Sequence, residues 1–257
     1  MSEIEFLSPA TSVSMADEWF EFARADHFWM RWRHRVLLRQ LQQIDRPLSN
    51  ALEIGCGHGV VRGMLEKDLG IPVDGCDLNQ HALEMAAQGK GRLLVYDIFD
   101  QNREMLGAYD MVLLMDVIEH VEDDAAFLAA SLQHLKPNGI VVINVPAHMQ
   151  FFSKYDEVAG HRRRYNSARL KALFRAVEVR PVSIVQWGLS LVPLLLARKV
   201  VLSFVSRERT IQTGFSPPTA LMGSVLNALQ AIETRLPFSM PIGSSLLAIG
   251  QMNDWSV

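Results

Sequence analysis

The chain has little cysteine, no excess of positive charge, no internal repeat and no low-complexity tract. Its two cysteines, Cys56 and Cys76, cannot make a disulfide framework. Both stand in apolar surroundings, as reduced buried thiols of a cytosolic protein do. Lys and Arg number 25 against 28 Asp and Glu, and the net charge of -3 lacks the basic balance of a nucleic-acid binder. Residues 1–16 show no basic stretch leading into an apolar core, so no secretory signal is visible. One uncharged and mostly apolar stretch, 182–197, resumes at 200–205 after Arg198 and Lys199. It falls short of the roughly 20 residues a spanning helix needs and reads as a buried or interfacial helix.

What is present suffices for a sizeable core: 257 residues, 49% of them hydrophobic, read as one α/β domain over 1–257. Largely apolar runs at 51–54, 73–76, 93–96, 111–115 and 140–145 alternate with helical stretches at 60–68, 79–88 and 125–135. Such runs predict buried parallel strands with helices on both faces. Ligands then bind outside the carboxyl ends of the strands. Pro137-Asn138-Gly139 marks a turn before the fifth strand, and 146–165 is polar, without period, and reads as a loop. A helix at 167–177 and a sixth strand at 179–187 follow, then two apolar helices at 189–205 and 219–236 around Pro217-Pro218.

The whole is expected to be a Rossmann-like, mostly parallel seven-stranded sheet. Its parts are an N-terminal helix within 17–46, a cofactor-binding core over 48–187, an apolar helical insertion over 188–243 and a closing strand at 244–252. The N-terminal helix, 17–43, starts at an Asp17 cap. It carries Trp19, Phe20, Phe22, Phe28, Trp29 and Trp32, and reads either as core packing or as a lid on a ligand.

The chemistry-bearing motif is Glu53-Ile54-Gly55-Cys56-Gly57-His58-Gly59, between a strand and a helix. Gly55 and Gly57 let the backbone turn tightly and approach a ligand as no Cβ would permit. Asp77 closes the next strand about 20 residues on, where an acid accepts from both hydroxyls of an adenosine ribose. Position 60 is Val, so the third glycine of the dinucleotide fingerprint is missing, and an adenosyl ligand without a pyrophosphate fits better than a nicotinamide dinucleotide.

From Leu52 to Val145 the chain resembles the class I S-adenosylmethionine-dependent methyltransferases. The resemblance rests on the glycine motif, on Gly75-Cys76-Asp77-Leu78, on Tyr96-Asp97-Ile98, on Asp110-Met111-Val112 through Met115-Asp116-Val117-Ile118-Glu119-His120-Val121, and on Leu135-Lys136-Pro137-Asn138-Gly139-Ile140. It implies S-adenosylmethionine as cofactor. Glu53, Gly55, Cys56 and Gly57 would lie toward its methionine part, and Asp77 with Leu78 toward the ribose. Asp97 with Ile98 would meet the adenine, and the backbone around Met115 and Asp116 the methionine ammonium.

Methyl transfer needs mainly a positioned nucleophile, helped by a general base where the acceptor is a hydroxyl. His148 (directly after the fifth strand), His120, His161 and Asp156 are the candidates, and no tight ligand spacing points to a metal site. The loop carrying Tyr155, Asp156, Arg162, Arg163, Arg164 and Tyr165 should overhang the cleft, where arginines would take a phosphate or carboxylate; a solvated charge run is the plainer reading. Together with His27-Phe28-Trp29-Met30-Arg31-Trp32-Arg33, that loop resembles a bacterial methyltransferase subgroup associated with cell-surface polysaccharide or lipid-linked intermediates.

The expectation is therefore methylation of an oxygen on a small, lipid-linked or glycan-related acceptor, with no nucleic-acid partner. The chain would be cytoplasmic, or held at the inner face of the membrane through 189–236. A nicotinamide oxidoreductase on the same fold and a non-catalytic module that only binds S-adenosylmethionine are the rivals. The oligomeric state is left open.

Overall fold

A computed structural model describes residues 3–11, 23–207, 209–210, 220–235 and 240–252. None of its helices is long and apolar enough to cross a membrane among these residues. The strands are β1 (Ile4–Phe6), β2 (Ala51–Ile54), β3 (Val73–Asp77), β4 (Leu93–Val95), β5 (Tyr109–Met115), β6 (Leu135–Pro146), β7 (Val179–Trp187) and β8 (Ser245–Met252). They form one sheet in the order β1-β4-β3-β2-β5-β6-β8-β7. Every pair is parallel except β6 with β8 and β7 with β8. Strand order reverses between β2 and β5, and a cleft opens there beyond their carboxyl ends.

The pleat sorts the central strands into two cores. Leu52, Ile54, Val112, Leu114, Val141 and Ile143 face one way, while Ala51, Met111, Leu113, Ile140, Val142 and Ile249 face the other. The first face is covered by α4 (Asp124–Leu132) and α6 (Ser167–Ala176), through Leu128, Leu170 and Phe174. The second is covered by α1 (Phe28–Leu41) and α2 (Val60–Leu69), through Trp32, Leu37, Val61 and Leu65. The remaining helices are α3 (Gln80–Glu84), α5 (Lys154–Val158), α7 (Val192–Leu202) and α8 (Ala220–Arg235).

The sheet is Rossmann-like and mostly parallel, as the apolar runs predict, with one strand more. β1, only three residues long, pairs with β4 at the edge, and Ser8 beyond it receives the backbone N–H of Asp97 on its hydroxyl at 2.9 Å. Asn138 (φ 62°) sits in a bulge that leaves the ladder between Leu135 and Ile140, so the turn signal marks a break within β6. The helix expected over 79–88 stops at Glu84. Arg62, buried in α2, takes the carbonyls of Ala87 at 3.1 Å and Gly91 at 2.5 Å, while Glu66 accepts from the N–H groups of Lys90 and Gly91. Those competing bonds pull the chain out of helix.

Within the expected loop 146–165 lies α5, entered through a capping box of Ser153 and Asp156. Asp17, Trp19, Phe20 and Phe22 lie outside the described residues. Residues 23–27 are not helical, and α1 starts at Phe28 with the Nδ1 of His27 accepting from the N–H of Trp29. Of the aromatic set on α1, Trp32 is fully buried against Trp187, while Phe28 and Trp29 reach a cavity described below. The helix is core and wall at once. Trp32→Ala should cost about 3–5 kcal/mol in urea unfolding, the range for deleting a large buried aromatic. A loss under about 1 kcal/mol would contradict the place given to this helix in the core.

Candidate active site

The turn after β2 is built from residues whose backbone leaves the region open to side chains: Gly55 has φ 69° and Gly57 φ 54°. A Cβ on Gly55 would lie 2.7 Å from Cγ2 of Val117, in the loop after β5. Asp77 braces the turn: its carboxylate accepts from the N–H of Gly57 at 2.8 Å and of Asn79 at 2.9 Å. Burial pushes this carboxyl upward against those bonds. Asp97 caps the short turn Ile98–Asp100 by accepting from the N–H of Phe99 at 3.0 Å. The structure brings all ten residues expected at the cofactor onto the wall of one cavity of about 1080 Å³: Glu53, Gly55, Cys56 and Gly57 from the turn, Asp77 and Leu78, Asp97 and Ile98, Met115 and Asp116. Glu53 is almost wholly buried and accepts from the N–H of Arg62 at 2.8 Å. Desolvation pushes its carboxyl up to about 8.

Beyond the turn the cavity continues between α1, α5 and α7. Two polar networks shape this half. On one side, Asp116 (φ 64°) is held by Arg33 and by the side-chain amide of Asn144 at 2.8 Å, and the Asn144 carbonyl oxygen accepts from the indole of Trp187 at 3.1 Å. Arg33 also stands over the Trp29 ring, 4.7 Å from its centre. Burial raises the Asp116 carboxyl, opposed by the Arg33 guanidinium.

On the other side, buried Asp156 accepts from Nε of Arg164 at 2.8 Å, from the N–H of Ser153 at 2.8 Å, and faces Nδ1 of His161 at 2.9 Å. Burial works the other way, yet His161 and Arg164 hold that carboxyl well below the usual carboxylate range. His120 is packed edge-on to His161 and, buried beside it, is pushed down to about 3. Between the networks lies Glu119, fully buried, with neither carboxylate oxygen partnered among the described residues.

Of the acceptor-side candidates, Tyr155, His120, His161, Arg162 and Arg164 line the cavity, and four do not. His148, at φ 60°, turns its Nε2 to Oε1 of Gln186 at 2.6 Å. Asp156 is sealed within its network. Arg163 pairs with Asp124 at 3.3 Å and donates to the Glu122 carbonyl at 2.7 Å. Tyr165, fully buried, donates to Asp124 at 2.9 Å and to the carbonyl of Ile118 at 3.1 Å. Arg163 and Arg164 find acid partners within the protein, whereas Arg162 is exposed and its Nε donates to the His120 carbonyl at 3.0 Å. Arg33, Asn144, Glu119 and Arg198 are the residues of this half that the sequence reading does not single out. Only the Glu119-His120 pair after β5 carried a signal.

Parallel strands, a glycine turn after the first of the central pair and an acid closing the next strand mark the class I S-adenosylmethionine-dependent methyltransferases. The chain belongs to the methyltransferase-domain family, which residues 21–184 match. It is 34% identical over 110 residues to a ubiquinone biosynthesis O-methyltransferase of Pelagibacter ubique, a match covering 40% of this chain and 45% of that protein. A Thiobacillus denitrificans protein of the same name is 29% identical over 151 residues, 55% of this chain and 63% of the other. The chain thus spans about half the length of these relatives. A methyltransferase structure from Archaeoglobus fulgidus, described as S-adenosylmethionine-dependent, superposes with a TM-score of 0.55 at 18% identity, over 91% of this chain and 100% of that one, a likeness of fold.

Two outcomes follow from the turn. Gly55→Ala should weaken S-adenosylhomocysteine binding in calorimetry by at least about tenfold, roughly 1.4 kcal/mol, whereas Gly63→Ala, with open space around its Cβ, should not. Equal binding by both variants would remove the turn from the cofactor site. Glu53 makes a pH prediction. The folded protein keeps a proton that the unfolded chain releases above about 4.5, so this group's contribution to stability is lost as pH rises toward about 8. Urea midpoints of Glu53→Gln should therefore gain on the wild type between about pH 5 and about pH 8. Buried histidines titrate alike in both proteins and cancel in the difference; a flat or falling difference contradicts the assignment.

Proposed function

We propose that this chain moves a methyl group from S-adenosylmethionine to an oxygen of a small acceptor that has an apolar portion. The observation that carries the reading is the continuity of the cavity. It runs from the glycine turn to a wall made by Leu191, Leu194, Leu195 and Leu202 with Leu226 of α8.

The residues present fit the cofactor. Gly55 and Gly57 keep the turn bare of side chains, and Asp77 and Asp97 set carboxylates on the wall where a ribose and an adenine amino group require acceptors. When bound, S-adenosylmethionine supplies a methyl group on a sulfonium. The chain's own part is to hold the acceptor oxygen in line with that methyl and to keep water away. Trp29 and the leucine wall pack the apolar portion. Arg198, stacked over the Tyr155 ring at 4.2 Å, brings positive charge to the same wall.

The names of the relatives speak for O-methylation in ubiquinone biosynthesis rather than for the surface polysaccharides suggested by the sequence. The outward side of the insertion carries exposed Val200, Phe204 and Ile232. Peripheral contact with a membrane through these residues belongs to the same proposal.

Incubation with methyl-labelled S-adenosylmethionine tests it. The acceptor panel holds hydroxylated aromatics with and without alkyl tails, tailed acceptors embedded in anionic vesicles, and simple polar alcohols. Label should enter tailed hydroxyl acceptors at least about tenfold faster than polar alcohols, a difference of about 1.4 kcal/mol. Tight binding of a nicotinamide dinucleotide with none of S-adenosylhomocysteine would establish the oxidoreductase instead. Cofactor binding with no label in any acceptor or native extract would leave a non-catalytic module.

A further inference from the structure

We infer that Glu119, His120 and His161 form a binding site for a divalent transition-metal ion, of the zinc type, on the acceptor side of the cavity. One ligand atom from each residue falls within 4.8 Å of the others. His161 lies far along the chain from the other two, so no sequence spacing reveals the set. Each donor needs to move inward by less than about 1 Å to reach zinc–ligand distances of about 2.0–2.2 Å.

Two independent features accompany the cluster. Glu119 is fully buried and both its oxygens lack a partner among the described residues. A buried carboxylate in that state is costly unless a proton or a cation neutralises it. His161 presents its Nδ1 to Asp156, leaving Nε2 as the donor atom, and Asp156 is itself fixed by Arg164 and Ser153. That carboxylate-histidine arrangement is the outer support of metal-bound imidazoles. His120 lies against Gly160, where an added Cβ would stand 3.5 Å from its Nδ1. Two more bonds hold the ligand-bearing loops together: the N–H of Arg162 donates to the Glu119 carbonyl at 2.8 Å, and its Nε to the His120 carbonyl at 3.0 Å.

Two imidazoles and one carboxylate suit zinc, cobalt, manganese or iron rather than calcium, which prefers an all-oxygen cage. All three residues line the cavity, so the open side of the ion faces it. An acceptor hydroxyl placed there would be acidified and lose its proton to bulk solvent before the transfer; its oxygen would then give the electron pair to the methyl carbon as the C–S bond breaks and leaves its pair on sulfur. This catalytic role rests on the methyl-transfer reading; the binding of the ion does not.

The test uses full-length protein stripped by a chelator. It is titrated with Zn²⁺ and with Co²⁺, followed by calorimetry and by the visible absorption of cobalt, with S-adenosylhomocysteine binding measured in parallel. The wild type should take one ion per chain. His161→Ala and Glu119→Gln should weaken that binding by at least about 100-fold, with S-adenosylhomocysteine affinity kept within about twofold; His81→Ala, altering an exposed histidine, should change neither. A wild type that takes up no stoichiometric ion, or variants that keep full ion affinity, overturns the site. Should a variant fail to bind S-adenosylhomocysteine, imidazole resonances of the wild type decide: those of His120 and His161 must move on adding zinc, and their standing still overturns it. A protein that binds the ion but never S-adenosylhomocysteine keeps this site and loses the proposed function.

Discussion

The site depends on Gly55 having no side chain. Two loops leave the sheet side by side where the strand order reverses, and they approach until only a bare backbone fits against Val117. The closeness lets Asp77 take hold of Gly57, and the partner loop turns through Asp116 at φ 64°. A left-handed conformation at a non-glycine residue costs on the order of 1–3 kcal/mol and persists only where neighbours over-determine it. Here Arg33 holds Asp116 from α1 and Asn144 holds it from β6. A buried pair of this kind adds little net stability, because desolvation offsets most of the attraction. Its effect is positional: it settles where the loop emerges, and with it Glu119 and His120.

The cofactor half of the cavity was legible because its information is local. Each strand is a short, largely apolar run, and the cavity-lining residues stand at the strand's end or one turn beyond, so reading the strands locates Gly55, Asp77 and Asp97. β1 escaped because three residues carry too little pattern. The early end of α3 escaped because its cause, Arg62 and Glu66, sits in a different helix.

The acceptor half was poorly legible because its bonds are long-range. Arg163, Arg164 and Tyr165 look in sequence like a patch facing solvent or an anion. Their partners, Asp124 and Asp156, become visible only when α4 and α5 are placed. His148 shows the limit of arguing from strand ends: the position is as expected, but a backbone turned to φ 60° sends the side chain to Gln186. The division is physical. The floor is made from backbone and strand ends, whereas the acceptor wall is made from an inserted pair of helices and a loop, whose side chains can change while the glycine turn stays as it is.

The treatment of buried carboxylates separates the three acids of this region. Asp116 and Asp156 are each met by a guanidinium and by further donors, drawn from β6 for one and from Ser153 for the other. Glu119 lies between those two networks, as deeply buried as Asp156, and receives no such donor among the described residues. A fold that supplies donors to both neighbouring acids does not leave the third bare for want of available groups, since Arg162 runs beside it and gives its bonds to the carbonyls of Glu119 and His120 instead. The two nearby groups with lone pairs to offer are imidazoles, which together with a carboxylate make a set of donors to a cation rather than a set of hydrogen-bond partners for one another. Such converging electron-pair donors are completed by a positive charge, a proton on the buried carboxyl or the ion proposed above.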